Sequence, residues 1–278
     1  MTTPLDLDPG NTMIMEAVVK LVQKVGCSLQ SWRASGGVEG TWEGSQFHAK
    51  ADQWAHQLIG AGLSNLKTKL PVVSEEDLSP TTTTDVTRYW LVDPVDGTAS
   101  YAEGFAGYVT QVALMEREHP VLAVVFAPHY QELFSAVRGG GAYRNGIRLP
   151  LESSSSLTLI DNYPSPRGVA EDLYNEMSFR RYTECGSIGL KICRVAEGTA
   201  DVFFKPGQVR DWDLAAPHLI LQEAGGHLLD ATGNEISYGA SRRHQGLVAA
   251  REDELVHRVA SWYHDRILGN QTVIKGRC

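Results

Sequence analysis

Apolar positions first recur along the chain with a helical period. Over residues 13–34, Met15, Val18, Val19, Leu21, Val22 and Val25 follow a 3.6-residue repeat, which stops at Gly36-Gly37. The glycine-rich residues 36–46 predict a loose connection. Residues 49–63 predict a second helix, opened near Asp52 and closed around Gly62. A short apolar run at 71–74 leads into Ser74-Glu75-Glu76-Asp77, and the threonines at 81–84 predict an exposed loop. Short β-branched and aromatic runs then replace the helical pattern. Residues 89–92, 109–115, 121–127 and 132–137 predict strands, and the series closes at 139–147 with Asn145-Gly146 as a hairpin turn. The serines at 153–156 mark the expected boundary between an N-terminal half (residues 1–151) and a C-terminal half (residues 152–278). Beyond them helical and strand patterns alternate over 169–177, 190–197, 201–204, 214–224, 227–230, 247–249 and 253–267. A strand meander flanked by helices and followed by an α/β half predicts layered sheets and helices.

Composition narrows the class. The 278 residues allow one large or two closely packed domains, and 42% hydrophobic residues supply a real core. A 21% charged fraction is ordinary for a globule and excludes disorder over most of the chain. The net charge of −8 argues against a protein that grips nucleic acid by neutralising phosphates. No apolar run approaches the roughly 20 residues of a membrane span, and the acidic, polar residues 1–11 do not resemble a signal peptide. Cys27, Cys185, Cys193 and Cys278 are sparse and form no CxxC. They read as reduced thiols of a cytoplasmic protein, not as a disulfide framework or a zinc site.

The densest chemical signal runs from Trp90 to Thr98. An apolar strand enters Asp93 and Asp96, which bracket Pro94, and Gly97 and Thr98 follow. Pro94 fixes its own φ and keeps Asp93 extended. The turn can then aim both carboxylates and an intervening carbonyl at one point, a set of hard oxygen donors suited to Mg²⁺. Gly97 admits close backbone approach, and a helix or turn starting at Thr98 would add N–H groups for an anion. An Asx turn capping a helix accounts for the same residues equally well. Two further clusters bear on that choice. Glu75, Glu76 and Asp77 follow an apolar run, where acids form either a solvated loop or a metal-ligating strand end. Asp211-Trp212-Asp213-Leu214-Ala215-Ala216 leads to Glu223-Ala224-Gly225-Gly226. A helix is expected to begin near Asp213, with Pro217 in its first turn and the two glycines as its stop. An acid there is either an N-cap or a carboxylate held ionised by the helix terminus.

Together, Asp-Pro-x-Asp-Gly-Thr, Trp-Asp-x-Ala-Ala and the following Glu-Ala-Gly-Gly resemble the inositol monophosphatase superfamily, the magnesium-dependent, lithium-inhibited phosphatases of sugars and nucleotides. The resemblance spans nearly the whole chain. Within the superfamily, the stretches at 70–77 and 88–94, with Val195-Ala196-Glu197-Gly198, look most like the 3'(2'),5'-bisphosphate nucleotidases. Those enzymes remove a phosphate from 3'-phosphoadenosine 5'-phosphate.

The resemblance implies a five-layered α-β-α-β-α sandwich, with the active site between the halves and a small phosphate ester as substrate. Family members often form homodimers. It also implies that Glu75, Asp93, Asp96, Asp213 and the carbonyl of Val95 ligate two or three Mg²⁺ ions, with Glu76 a second acid nearby. Asp52 and Thr98 would activate the attacking water, and Gly97 and Thr98 would hold the scissile phosphate. Lys191 and Lys205 match basic residues of the nucleotidase branch, as point charges for a second phosphate. Either lysine could equally be a solvated edge. There are departures. Ile188 and Gly189 lack the hydroxyl usual before the lysine, His48-Ala49-Lys50 replaces a threonine ahead of Asp52, and Ala99-Ser100-Tyr101 follows Thr98. These leave the acids intact and open the leaving group. Inositol phosphate or another sugar or nucleoside phosphate is the alternative substrate. A non-catalytic ligand-binding regulator is the alternative class.

Overall fold

In the computed structural model, residues 9–36, 39–43, 46–77, 87–150, 156–239 and 243–275 are described. The leader at 1–8, the threonine loop at 81–84, the half boundary at 151–155 and Cys278 lie outside the described residues. The N-terminal elements are α1 (Pro9–Ala34), β1 (Gly40–Glu43), β2 (Gln46–Ala49), α2 (Lys50–Ser64), β3 (Val72–Ser74), β4 (Arg88–Asp96), α3 (Thr98–Ala102), β5 (Val109–Glu116), β6 (His119–Ala127), β7 (Glu132–Val137), β8 (Gly141–Arg144) and β9 (Ile147–Arg148). There follow β10 (Thr158–Asp161), α4 (Val169–Glu176), β11 (Arg181–Glu184), α5 (Ile188–Glu197), β12 (Val202–Lys205), β13 (Val209–Arg210), α6 (Asp211–Glu223), β14 (His227–Leu229), β15 (Arg243–His244), β16 (Leu247–Ala250) and α7 (Asp253–Lys275).

The alternation of side chains along the strands sorts the layers. Trp90 and Val92 of β4 join Val112, Leu114, Val124 and Phe126 on one face of a sheet ordered β3-β4-β5-β6-β7-β8-β9, and this face packs on α1 and α2. Leu91, Ala113, Met115 and Val125 belong to the core that also takes in α5, α6 and the inner side of a second sheet, ordered β11-β10-β12-β16-β14. The outer side of that sheet, with Val202, Phe204 and Val248, packs on α4 and α7 through Leu173, Val256 and Val259. The order is therefore helix, sheet, helix, sheet, helix, as the resemblance implied. Among the described residues, no helix is long and apolar enough to cross a membrane.

Several local expectations hold. Asn145 (φ +49°) and Gly146 (φ +80°) form the two-residue turn between β8 and β9, where both positions need left-handed backbone. Others are corrected. Residues 36–46, expected to be loose, contain β1, which pairs with β2 in the register Trp42↔Phe47. The glycines masked the strand propensity of the threonine and aromatics there. The helix expected to open near Asp52 opens at Lys50, so Asp52 lies inside its first turn. Strands β10 and β11 were not expected; β11 is a partly exposed edge strand with charged ends, and β10 pairs beside it.

The largest correction concerns α6, which begins at Asp211 and not near Asp213, so Pro217 sits in the helix interior and not in the first turn. A proline there deprives the carbonyl four residues earlier of its donor. That carbonyl belongs to Asp213, and the Gln111 side chain lies against it, with Nε2 3.3 Å from Asp213 O and 2.9 Å from Trp212 O.

One buried ion network ties α5 to the first sheet. Glu197 is fully buried and accepts from Arg144 Nη1 at 2.6 Å and Arg194 Nη1 at 2.7 Å, while Arg194 Nη2 also reaches Glu132 at 2.6 Å. Glu197→Ala leaves the Arg144 and Arg194 guanidiniums to share Glu132 and opens a buried gap between them. It is expected to cost about 3–5 kcal/mol and lower the thermal midpoint by roughly 10 °C. An unchanged unfolding midpoint would contradict this.

Candidate active site

The inner face of the first sheet changes from apolar to polar at one end. Two residues after Leu91 on β4 comes Asp93, and directly across the ladder from it is Gln111 of β5. The pairing is interrupted between Asp93 and Asp96, and Val95 N turns back to donate to Asp93 Oδ1 at 3.1 Å. Gly97 follows with φ +89°, and a Cβ there would stand 3.1 Å from Ser187 Cβ and 3.2 Å from Gly107 O. Only glycine meets both demands without strain. Strand β3 runs parallel to β4 (Ser74↔Val92), and Glu75 N donates to Val92 O at 3.2 Å, which lays Glu75 and Glu76 beside the same strand end.

The C-terminal half closes on this end with two helix starts. At α5, Ser187 Oγ accepts from Leu190 N at 3.0 Å, while Ile188 N and Gly189 N donate to Asp96 at 3.3 and 2.5 Å. The first turn of α5 thus holds an acid from the other half, where the helix dipole favours one. At α6, Arg210 N donates to Asp213 Oδ2 at 2.7 Å. One carboxylate oxygen from each of Asp93, Asp96 and Asp213 lies within 4.8 Å of the other two.

A cleft of about 360 Å³ opens over these groups. Asp52, Glu75, Glu76, Asp96, Gly97 and Thr98 border it from the N-terminal half, and Lys191 and Lys205 border it from the C-terminal half. Asp93 and Asp213 adjoin it through Asp96. Val95 adjoins it through its carbonyl, 3.0 Å from Thr98 Oγ1. Asp52 is 4% exposed, and its Oδ1 is 2.9 Å from the same Thr98 hydroxyl. Every residue expected at the site from sequence therefore lies in or beside one cleft.

The acids disturb one another. Burial, followed by the charges of Glu75, Asp96 and Asp213, raises Asp93 well above the usual carboxylate range. Burial and then Glu76 and Asp52 push Glu75, at the exposed rim, up to about 7. Asp213 is pushed up to about 8 by burial first and Asp96 next, against the pull of the Arg210 N–H. Burial also raises Asp96, opposed by Gly189 N and Lys191. At α6 the Asp213 carboxylate caps the helix start by accepting from Arg210 N, while burial opposes the ionisation that a helix terminus favours. A helix end contributes at most about 2 kcal/mol, less than burial among like charges removes. Asp93 Oδ2 is buried without a hydrogen-bond partner among the described residues. An orphaned carboxylate oxygen inside an all-oxygen donor set fits a hard divalent cation such as Mg²⁺.

Lys191 is 1% exposed and lies over the Phe203 ring at 4.8 Å. Its ammonium donates to Gly186 O at 2.8 Å and to Asn162 Oδ1, and burial lowers its pKa to about 8. Two of its three N–H groups are therefore committed within the protein, and the alternative of a solvated edge falls away. Sequence reasoning missed Asn162 and Gln111. A long amide beside Thr110 within the otherwise apolar strand Val109–Met115 was the available signal for Gln111. Asn162 follows β10 in irregular chain and carried none.

At the seam between the halves, Gly107 and Gly186 approach so closely that a Cβ on either would overlap the other's backbone, and Ser187 N donates to Gly107 O at 2.6 Å. Gly186→Ala is expected to shift α5 away from Asp96 and lower kcat/KM on the order of 10²-fold. Steady-state kinetics on the folded variant would check this.

The model of the inositol monophosphatase family matches residues 6–264. The 3'(2'),5'-bisphosphate nucleotidase CysQ of Aggregatibacter actinomycetemcomitans is 28% identical over 236 residues, which cover 82% of this chain and 88% of that one. Inositol monophosphatase 1 of Solanum lycopersicum is 34% identical over 185 residues, covering 61% and 67%. The extragenic suppressor protein suhB from Bartonella henselae superposes with a TM-score of 0.77 at 25% identity, covering 89% of this chain and 98% of that one. With the family matched across most of its length and the same layered sandwich in solved relatives, the chain belongs to the inositol monophosphatase family and is a phosphatase.

Proposed function

We propose that the chain hydrolyses 3'-phosphoadenosine 5'-phosphate, with Glu75, Asp93, Asp96, Asp213 and the Val95 carbonyl as its magnesium ligands. The observation that carries the substrate is the presence of Lys191 and Lys205 in one cleft with Asp52 and Thr98. A bisphosphate brings a second anion that the acids repel, and two lysines supply its counter-charge. Lys191 lines the cleft, so that anion would stand beside its ammonium and favour the charge that burial opposes.

Magnesium held by these carboxylates would neutralise their repulsion, polarise the phosphoryl oxygens and lower the pKa of a water molecule. The chain's own part is to position the phosphate and move the proton. Gly97 and Thr98 present backbone N–H groups to the phosphate oxygens. The Thr98 hydroxyl has one proton and two acceptors in reach, Asp52 Oδ1 and Val95 O. With the Val95 carbonyl serving as a metal ligand, Thr98 would donate to Asp52, and a lone pair of its oxygen would accept a proton from the attacking water. The proton passes from water to Thr98 Oγ1 as the Thr98 proton passes to Asp52 Oδ1. Glu76 stands beside them as a second acid at the rim. Residues 1–151 and 152–278 each contribute one wall in this reading. A cytoplasmic setting belongs to it, in keeping with the free thiols Cys27, Cys185 and Cys193.

Phosphate release with Mg²⁺ from 3'-phosphoadenosine 5'-phosphate, inositol 1-phosphate and fructose 1,6-bisphosphate tests the proposal. The nucleotide is expected to turn over fastest, Li⁺ to inhibit, and Lys205→Glu to cost at least about tenfold on the nucleotide. A second reading, an inositol or sugar phosphate as substrate, is favoured by the missing hydroxyls at Ile188 and Gly189. Faster turnover of inositol phosphate, with Lys205→Glu nearly silent, would establish it.

A further inference from the structure

Pro217 interrupts α6 at a particular carbonyl. In a helix the N–H of residue 217 would bond the carbonyl of residue 213, and proline has none to give. The carbonyl left without its donor is that of Asp213, whose carboxylate meets Asp93 and Asp96. Gln111 Nε2 lies 3.3 Å from it and 2.9 Å from the neighbouring Trp212 carbonyl. Gln111 is 1% exposed and stands opposite Asp93 in the β4–β5 ladder. A single side chain from β5, the strand paired with the one that carries Asp93, therefore reaches the helical turn that carries Asp213.

The other end of the same amide explains a departure in the sequence. A Cβ on Gly189 would overlap Gln111 Oε1 and come within 2.9 Å of Asp96 Oδ2. The serine usual near this position in the nucleotidases has no room here, because Gln111 occupies the space. The long amide at 111, the absent side chain at 189 and the missing N–H at 217 are three parts of one arrangement.

We infer that Gln111 is a positioning residue of the metal centre, which replaces the backbone donor removed by Pro217 and thereby sets where the Asp213 carboxylate stands relative to Asp93. The inference rests on the magnesium ligands proposed above. It makes a reciprocal demand. Removing the amide matters most while position 217 is proline, because any other residue there supplies the N–H to the Asp213 carbonyl from within the helix.

The test is a double-mutant cycle read by calorimetric titration of Mg²⁺ into the metal-free protein, with thermal unfolding in EDTA as a separate measure of folding. Gln111→Met keeps the size of the side chain and deletes the donor. It is expected to weaken Mg²⁺ binding about 10- to 100-fold, the range for groups that hold a metal's ligands. Pro217→Ala alone is expected to bind Mg²⁺ within about threefold of wild type, and Gln111→Met/Pro217→Ala to recover most of the loss. In Pro217→Ala carrying Gln111→Met, the new amide of residue 217 should be protected from hydrogen exchange. If Gln111→Met does not fold, Gln111→Asn, which shortens the amide's reach, makes the same comparison. Equal Mg²⁺ affinity in wild type and the Gln111 variant would overturn the inference alone, as would a double variant as weak as the single. A wild-type chain that binds no Mg²⁺ would overturn the metal reading beneath it as well.

Discussion

Thr98→Ala is expected to lower kcat by roughly 10²–10⁴-fold while leaving Mg²⁺ affinity and the unfolding midpoint close to wild type. The magnitude is that of general base catalysis by one positioned group. The separation of effects follows from geometry. Thr98 Oγ1 touches Asp52 Oδ1 and the Val95 carbonyl, and it is not among the three carboxylates that converge within 4.8 Å. Removing the hydroxyl interrupts the path from water to Asp52 and leaves the cation cage. Asp52→Asn should act alike, because an amide cannot take up the proton. The double variant should be little worse than either single one, since the two residues act as a unit. Calorimetric titration of Mg²⁺ beside steady-state phosphate release measures both quantities. Thr98→Ala retaining more than about a third of wild-type kcat would show that the proton leaves by another route.

Metal-free protein is expected to lose stability as pH rises from about 5 to 8, and Mg²⁺ to restore it increasingly over the same interval. The sign follows from linkage. Asp213 has a pKa near 8 in the folded chain against 3.8 ordinarily, and Glu75 near 7 against 4.5, so the folded state binds protons that the unfolded state has released. Stability then falls with rising pH, by about 1.4 kcal/mol per pH unit for each carboxyl protonated only when folded. The contribution is complete below pH 4 and gone above about 8. Glu75 sits at an exposed rim and contributes less than its shift suggests. A divalent cation binds only the ionised cage, so its stabilising effect grows as the protons leave. Thermal unfolding in EDTA and in excess Mg²⁺ at pH 5.5, 6.5, 7.5 and 8.5 should show the gap widening to roughly 10 °C. A gap independent of pH would mean that the acids are ionised without metal.

Legibility in the sequence differed from element to element for physical reasons. The helices α1 and α2 declared themselves because burial on one face imposes a repeat, and β4 to β6 because burial on both faces selects continuous β-branched and aromatic runs. Strands β10 and β11 did not. Flanked by polar turns, they acquire strand geometry from parallel neighbours and not from a pattern of their own. The turn at Asn145-Gly146 was legible because it needs left-handed backbone at two adjacent positions, which few residue pairs tolerate. Pro217 was misread because α6 begins two residues earlier than expected, and the side chain that faces the carbonyl it leaves stands 106 positions earlier, a relation that local rules do not contain.

By itself the sequence determined the family, the layered architecture and the identity of the acids. Each is written in short motifs whose residue types serve local turn geometry and ligand chemistry at once. Only the tertiary structure decided that Asp93, Asp96 and Asp213 stand within 4.8 Å of one another, that Lys191 is buried against Asn162, and that Gln111 faces the carbonyl left by Pro217. These depend on how two sheets pack across α5 and α6. Convergence of groups far apart in the chain is set by the whole core, whereas a motif records only its neighbours.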